Sequence, residues 1–258
     1  MRAMILAAGR GERMRPLTDH TPKPLLAAGG KPLVVWHLER LAAAGLRDVV
    51  INHAWLGEQI VRQLGDGTQW GVRIQYSAEA AALETAGGIA QALPRLGDAP
   101  FLVINGDIWC DWNPAQAPAL ARRLDDEGAD AWLLLTDNPA HHPAGDFTLR
   151  ADGRAGDDEG TTGAAHPGAG QAVSARADSA DGGSVHADAR RLTFAGIGIY
   201  RPSLFGGLPI GQPAKLAPLL RHAMARDAVL ASRHAGRWVD VGTPQRLAEL
   251  DAALAASR

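Results

Sequence analysis

The sequence predicts an α/β fold, with a mostly parallel central sheet flanked by helices. Short, continuously apolar runs such as Met4–Ala8, Phe101–Ile104 and Ala131–Leu135 alternate along the chain with stretches of helical periodicity. A strand covered on both faces reads as such an unbroken run, and sheets covered on both faces are built from strand–helix–strand units. Glycine and proline fall between the runs, where turns are needed.

The elements follow in order. Met4 to Ala8 reads as a buried first strand. Pro32 to Ala44 carries Val34, Leu38 and Leu41 at i, i+4 and i+7, an amphipathic helix ended by Gly45. Asp48 to Asn52 is a second buried strand, and Leu56 to Leu64 a short helix closed by Gly65 and Gly67. Val72 to Tyr76 alternates with period two, as in a strand with one covered face. Thr85 to Leu93 reads as a helix with Pro94 just beyond it, then Phe101 to Ile104 as a strand. Ala115 to Leu124 reads as a helix, Ala131 to Leu135 and Phe147 to Leu149 as strands. From Ala155 to Arg190 the periodicity disappears, and large apolar side chains are nearly absent. Such a segment buries too little to offset its ordering entropy, so a disordered loop insertion at 155–190 is expected within a single domain spanning 1–258. Leu192 to Tyr200 is a strand, and Lys215 to Arg226 a helix with Leu216, Leu219, Leu220 and Ala223 on one face. Trp238 to Gly242 is the last strand. Thr243 is a good N-cap with Pro244 at the first helical position, ahead of Leu247, Leu250 and Leu254 at helical spacing.

Bulk properties exclude several classes. A net charge of −2 gives no general case for nucleic-acid or anionic-membrane binding. No apolar run approaches the ~20 residues of a membrane span, and no leader precedes the first strand. The single cysteine, Cys110, rules out an intrachain disulfide framework and fits a reducing cytoplasm. Tryptophan outnumbers phenylalanine and tyrosine; core packing is the default reading, lining of a ligand cleft the alternative.

Chemistry concentrates in a few places. Gly9-Arg10-Gly11-Glu12-Arg13-Met14-Arg15 follows the first strand directly, where a glycine turn lets backbone N–H groups close around phosphate. Met14 stands where a dinucleotide fingerprint needs its third glycine, and no GxxxxGK[ST] occurs. Pro22 and Pro24 bracket Lys23 and restrict it, which suits a cation held against a transferring phosphoryl group. Asp107, in Asn105-Gly106-Asp107, stands at the carboxyl end of a strand, where it either caps a turn or ligates a metal. Asp240 precedes Gly242-Thr243-Pro244 and is either a helix-start charge or a second metal ligand. Leu83 to Gly88 places Gly87 and Gly88 at a helix start with N–H groups on offer. His141-His142 is a solvated pair in a loop, since adjacent side chains rarely chelate together. Lys215, at a helix start, either serves a sugar phosphate or is simply exposed.

The run Leu6-Ala7-Ala8-Gly9-Arg10-Gly11-Glu12-Arg13-Met14-Arg15-Pro16-Leu17-Thr18, with Pro22-Lys23-Pro24-Leu25, resembles the signature of the sugar-1-phosphate nucleotidylyltransferases. Leu83 to Gly88 and Trp238 to Thr243 resemble further motifs of that family. The resemblance covers nearly the whole chain apart from 155–190. It implies a Rossmann-like, GT-A-like nucleotidyltransferase fold and an enzyme joining an NTP to a sugar 1-phosphate with release of pyrophosphate. Lys23 and Arg15 are then the catalytic cations. Leu6, Ala8, Gly9, Gly11, Glu84, Gly87, Gly88 and Asn105 contact the nucleotide; Asn138, Gly145 and Lys215 contact the sugar; Asp107 and Asp240 hold Mg²⁺. UTP and N-acetylmuramate 1-phosphate, in cell-wall sugar recycling, are the favoured substrates, ahead of GTP and mannose 1-phosphate. A non-catalytic nucleotide-sugar-sensing subunit is the alternative of another class. The expected partners are these small molecules, with no nucleic acid and no membrane, for a cytoplasmic monomer or small homo-oligomer. The family's Glu-Lys-Pro sugar motif is absent.

Overall fold

The computed structural model describes residues 1–157 and 190–256. In chain order the elements are β1 (Ala3–Leu6), β2 (Ala27–Ala28), β3 (Lys31–Pro32), α1 (Leu33–Ala43), β4 (Asp48–His53), α2 (Gly57–Leu64), β5 (Arg73–Ala78), α3 (Glu84–Leu96), β6 (Phe101–Asn105), β7 (Ile108–Cys110), α4 (Ala117–Asp126), β8 (Ala131–Thr136), β9 (Phe147–Leu149), β10 (Ala155–Gly156), β11 (Arg191–Tyr200), α5 (Leu216–Met224), β12 (Val229–His234), β13 (Trp238–Asp240) and α6 (Pro244–Ala255). Among the described residues no helix is long and apolar enough to cross a membrane.

The main sheet runs β12–β8–β11–β6–β1–β4–β5, with β9 and β10 continuing from the start of β11. β6, β1, β4 and β5 are parallel, and β12 is parallel to β8. β11 opposes both of its neighbours, β6 and β8. Period-two alternation sorts the apolar run of β1 between two layers. Ala3 and Ile5 pack with α1, α2 and α4 through Leu38, Ile60 and Leu124; Met4 packs with α3 and α5 through Ile89 and Leu220. β6 divides likewise, Leu102 and Ile104 to the first layer, Phe101 and Val103 to the second. A smaller core joins Met14 and Leu33 to Val241, Leu250 and Leu254, so α6 clamps the loop that follows β1. Thr243 caps α6 as expected, its side chain accepting from Arg246 N at 3.3 Å.

Several elements differ from expectation. Ala155–Gly156, placed by the sequence in the aperiodic segment, are buried and pair with Leu149 and Thr148 as β10. The rest of that expected insertion, 158–189, lies outside the described residues. β12 was not anticipated, because only Val229-Leu230-Ala231 of its six residues are apolar and buried. β7 is short and pairs antiparallel with β13, Asp240 opposite Ile108. α3 continues to Leu96, with Pro94 inside its last turn. The tryptophans are mostly structural. Trp109, Trp112 and Trp132 are buried, while Trp238 reaches a cavity wall.

His37 of α1 is buried and donates from Nε2 to the carbonyl of Ile108, 2.9 Å away, which holds β7 against α1. Burial, with the nearby Arg40 charge, lowers its pKa from 6.5 to about 4. The folded value lies below the unfolded one. The stability that neutral His37 contributes is therefore complete above pH 6.5 and is lost as pH falls towards 4. The expected loss is about 2 kcal/mol by pH 5. His37→Gln should be less stable near neutrality yet lose less melting temperature between about pH 7.5 and pH 5. Parallel melting curves for the two proteins would remove His37 from the acid response.

Candidate active site

In the sheet order β4 and β6 flank β1, so the chain changes direction at β1 and leaves a crevice beyond the carboxyl ends of these strands. A cavity of about 350 Å³ occupies it, with Leu6 from β1, Asn52 from β4 and Asn105 from β6 in its wall. Ala8, Gly9, Lys23 and Glu84 line it as the sequence suggested. Adjoining cavities of about 300, 250 and 240 Å³ complete the cleft. Asn105 borders the first three and Asp107 the first, second and fourth, so these two residues sit where the spaces meet.

The glycine loop is held from both sides. Gly11 takes φ +71°, a conformation that disfavours side chains, and its carbonyl accepts from Thr18 Oγ1 at 2.8 Å. Met14 is buried in the α6 core. Arg13 then borders the second and fourth cavities, and no ion pair or hydrogen bond engages its guanidinium among the described residues. Arg15 does not reach the site. Its Nε pairs with Asp19 Oδ1 at 2.7 Å on the exposed side of the loop. The cation that the loop presents is Arg13, because burial of Met14 turns its neighbours on either side in different directions. The G-x-G-x-R spacing of the motif falls on Arg13 as well.

Lys23 is the central cation. Its side chain is only 9% exposed, and Nζ lies 2.7 Å from Asp107 Oδ2. A lysine this buried requires a counter-charge, and Asp107 supplies it across the gap between the loop and the end of β6. Gly106 permits the approach, since a Cβ there would lie 2.6 Å from the carbonyl oxygen of Leu6.

Beneath the cavity runs a buried polar chain that sequence reading did not single out. Asn52 Oδ1 accepts from Ala7 N at 2.9 Å, and Asn52 Nδ2 donates to Glu79 Oε1 at 2.6 Å. Glu79 Oε2 in turn accepts from Leu83 N at 2.9 Å. Burial raises the pKa of Glu79, while the bonds from Asn52 and Leu83 oppose that rise. The chain ties the glycine loop to the start of α3. Glu79 carries no motif signal, and the family-like run Ile51 to Gly57 gives Asn52 no role; only the register of β4 beside β1 shows that Asn52 faces Leu6.

Gly87 and Gly88 have a role other than the expected one. Gly87 N already donates to Ala214 O at 3.1 Å, and neither glycine borders any of the four cavities of the cleft. A Cβ on Gly87 would meet Gln212 O at 2.4 Å, and one on Gly88 would meet Glu79 Oε1 at 2.7 Å. These glycines let α3 pack against the 212–214 segment and over the Asn52–Glu79 pair.

The second carboxylate, Asp240, shares the 300 Å³ cavity with Asp107. The β7–β13 ladder and the bond from Val241 N to Asp107 O, 3.0 Å, set the two side by side. Arg246 Nη1 donates to Asp240 Oδ2 at 2.7 Å and to His141 Nε2 at 2.8 Å. Oδ1 of each aspartate has no protein partner among the described residues. Hard oxygen donors from two carboxylates facing one water-accessible space fit a divalent cation such as Mg²⁺, which takes few protein ligands. His141 and His142 both border this space from a solvated loop, as their sequence reading had it, with side chains 42% and 39% exposed. The thiol of Cys110 is buried and pushed up to about 11, a packed neutral group.

Asn138 and Gly145 also leave the expected list of ligand contacts. Asn138 Nδ2 donates to the carbonyls of Pro143 and Arg191 at 3.0 and 3.1 Å, and Oδ1 accepts from Thr193 Oγ1 at 2.9 Å. Both of its donors and one of its two acceptor sites go to bracing the loop. Gly145, at φ +64°, leaves room for the Asn138 side chain. Their neighbours reach the cleft instead: Asp146, Phe147 and Lys215 border the 250 Å³ cavity.

Comparisons with known proteins agree with this geometry. The nucleotidyl transferase family model matches residues 2–147. The chain is 51% identical, over 98% of its length and 97% of the relative's, to an N-acetylmuramate alpha-1-phosphate uridylyltransferase of Neisseria meningitidis serogroup B. It is 34% identical, over 98% and 96% of the two chains, to a protein of the same name from Caulobacter vibrioides. In fold it is similar to a putative glucose-1-phosphate thymidylyltransferase from Bacillus anthracis, with a TM-score of 0.76 at 19% identity over 99% of this chain and 95% of that one. With a family model spanning more than half its length and a relative aligned almost end to end, the chain belongs to the nucleotidyl transferase family, as an enzyme of the sugar-1-phosphate nucleotidyltransferase kind.

Proposed function

We propose that the chain transfers the uridylyl group of UTP to N-acetylmuramate 1-phosphate, giving UDP-N-acetylmuramate and pyrophosphate, with Mg²⁺ as its cofactor, in the reuse of cell-wall sugar. The observation that carries the reading is that Asp107, at the junction of the cavities, pairs with Lys23 on one side and shares the 300 Å³ cavity with Asp240 on the other. The near end-to-end identity with the Neisseria uridylyltransferase supports the choice of substrates.

An oxygen of the sugar phosphate attacks the α-phosphorus of UTP, and the bond from that phosphorus to the bridging oxygen breaks. Pyrophosphate leaves with the electron pair. The nucleophile is already ionised, so no protein base is needed. Catalysis consists of alignment and charge stabilisation. The glycine loop and Arg13 receive the β- and γ-phosphates. Lys23 neutralises the oxygens that crowd together as the phosphates meet. The Asn52–Glu79 chain fixes the floor on which the nucleoside lies. Asp107 and Asp240 are the residues that would hold the divalent cation, which when bound would supply positive charge to offset the charge of the reacting phosphates.

Pyrophosphate release measured across a matrix of NTPs and sugar 1-phosphates tests the reading. Turnover with UTP and N-acetylmuramate 1-phosphate is expected. Turnover confined to GTP and mannose 1-phosphate would replace the substrates, and silence from folded protein would favour a sensing subunit. In the same assay Arg13→Ala should lower kcat/KM by about 10²-fold, the cost of removing a charge from the transition state. Arg15→Ala, which breaks only the surface ion pairs with Asp19 and Glu12, should change it by less than about threefold. The reverse ranking would return the role to Arg15. Asp107→Asn should raise the Mg²⁺ concentration for half-maximal rate by about tenfold or more while the protein stays folded; an unmoved Mg²⁺ titration would argue against Asp107 as a ligand.

A further inference from the structure

We infer that Lys215 is a specificity-determining residue that recognises the lactyl carboxylate of the acceptor sugar, the group separating N-acetylmuramate 1-phosphate from neutral-ring amino-sugar phosphates. The inference rests on the proposed reaction and extends it to one side chain.

The chain contains three lysines. Lys23 is paired with Asp107, and Lys31 with Glu39. Lys215 has no ion-pair or hydrogen-bond partner among the described residues, yet it borders the 250 Å³ cavity. Two carboxylates border the same cavity, Glu84 and Asp146, and neither comes within ion-pair distance of Lys215. Those of Asp146 are occupied: Oδ2 accepts from Phe194 N at 2.8 Å, and Oδ1 lies 3.1 Å from His142 Nε2. Lys215 is thus an available cation facing a space large enough for part of a sugar. It stands at the amino end of α5, whose backbone dipole adds positive potential at that point.

Its position separates it from the phosphates. Arg13 and Lys23 border the 240 Å³ cavity beside the glycine loop, with Asp107. None of these three borders the cavity of Lys215, which meets the 350 Å³ cavity along Asn105, Glu84 and Thr85. An acceptor whose phosphate lies by Lys23 has room to extend its ring across that shared edge towards Lys215. Phe147, Phe194 and Leu220 give that cavity an apolar wall. A lactyl ether presents a methyl group and a carboxylate together, and a wall of this kind with a single free ammonium matches both. A neutral hydroxyl would leave the ammonium unpaired.

The test crosses two neutralisations. kcat/KM is measured for N-acetylmuramate 1-phosphate and for its lactyl carboxamide, with wild-type protein, Lys215→Met and Lys215→Arg. A charge-assisted contact at a partly open site is worth about tenfold in kcat/KM, carried by KM. Wild type should lose about that factor on amidation, Lys215→Met should lose it on the native sugar and then be nearly indifferent to amidation, and Lys215→Arg should keep the preference. KM for UTP should not follow. If Lys215→Met keeps the full amidation penalty, Lys215 does not read the carboxylate and the inference fails while the proposed reaction stands. Equal wild-type constants for acid and amide overturn it too, without recourse to any variant. Absence of wild-type turnover with N-acetylmuramate 1-phosphate would instead overturn the reaction on which it rests.

Discussion

The bond between Lys23 Nζ and Asp107 Oδ2, 2.7 Å long, is the interaction on which the cleft depends. It joins the loop after β1 to the turn after β6, and it gives a nearly buried lysine its counter-charge. Burying that lysine without a counter-charge would cost several kcal/mol or discharge it. The pair also suits exchange. In the proposed reaction phosphate oxygens take the place of Asp107 beside Lys23, and the carboxylate turns to a divalent cation.

The parts of this arrangement legible in the sequence are those where one residue type has few alternatives. A glycine-rich turn directly after an unbroken apolar run marked the end of β1, and two prolines around Lys23 marked a fixed cation. Asp107, in the turn after β6, and Asp240, at the end of β13, were joined in the sequence only by the family resemblance; their adjacency comes from the β7–β13 pairing, which no local pattern announces. The main strands were legible because the two-layer core demands apolar residues on both faces.

What was not legible turns on direction and partnership. Arg13 and Arg15 are alike as residues, and only the burial of Met14 between them decides which guanidinium faces the cleft. Gly87 and Gly88 look like free donors at a helix start, but the Ala214 carbonyl, distant in the chain, takes the N–H of Gly87. Asn138 is polar and near the cleft, yet its amide is spent on Pro143, Arg191 and Thr193. In each case the residue type was read correctly and its partner could not be. Asn52 and Glu79 show the converse. Ordinary in sequence, they matter because parallel pairing sets Asn52 opposite Leu6.

The acceptor side of the cleft comes from the departure from parallel order. Were β11 parallel to β6, its amino end would lie away from the carboxyl ends of β1, β4 and β6. Running the other way, it brings Phe194 and Gly196 to that edge, where they wall the cavities next to Asn105. Its register shifts between Phe194 and Gly198, and Gly196 within that irregularity takes φ +76°. A Cβ on Gly196 would lie 2.8 Å from Asn105 Nδ2, so the bulge is shaped to leave the Asn105 side chain at the junction of three cavities. The parallel strands thus supply the half of the cleft that takes the nucleotide in the proposed reaction. One reversed strand, with the β9 loop and the start of α5, supplies the half that takes the sugar. Acceptor preference can then change through β11, β9 and Lys215 without disturbing the Lys23–Asp107 pair.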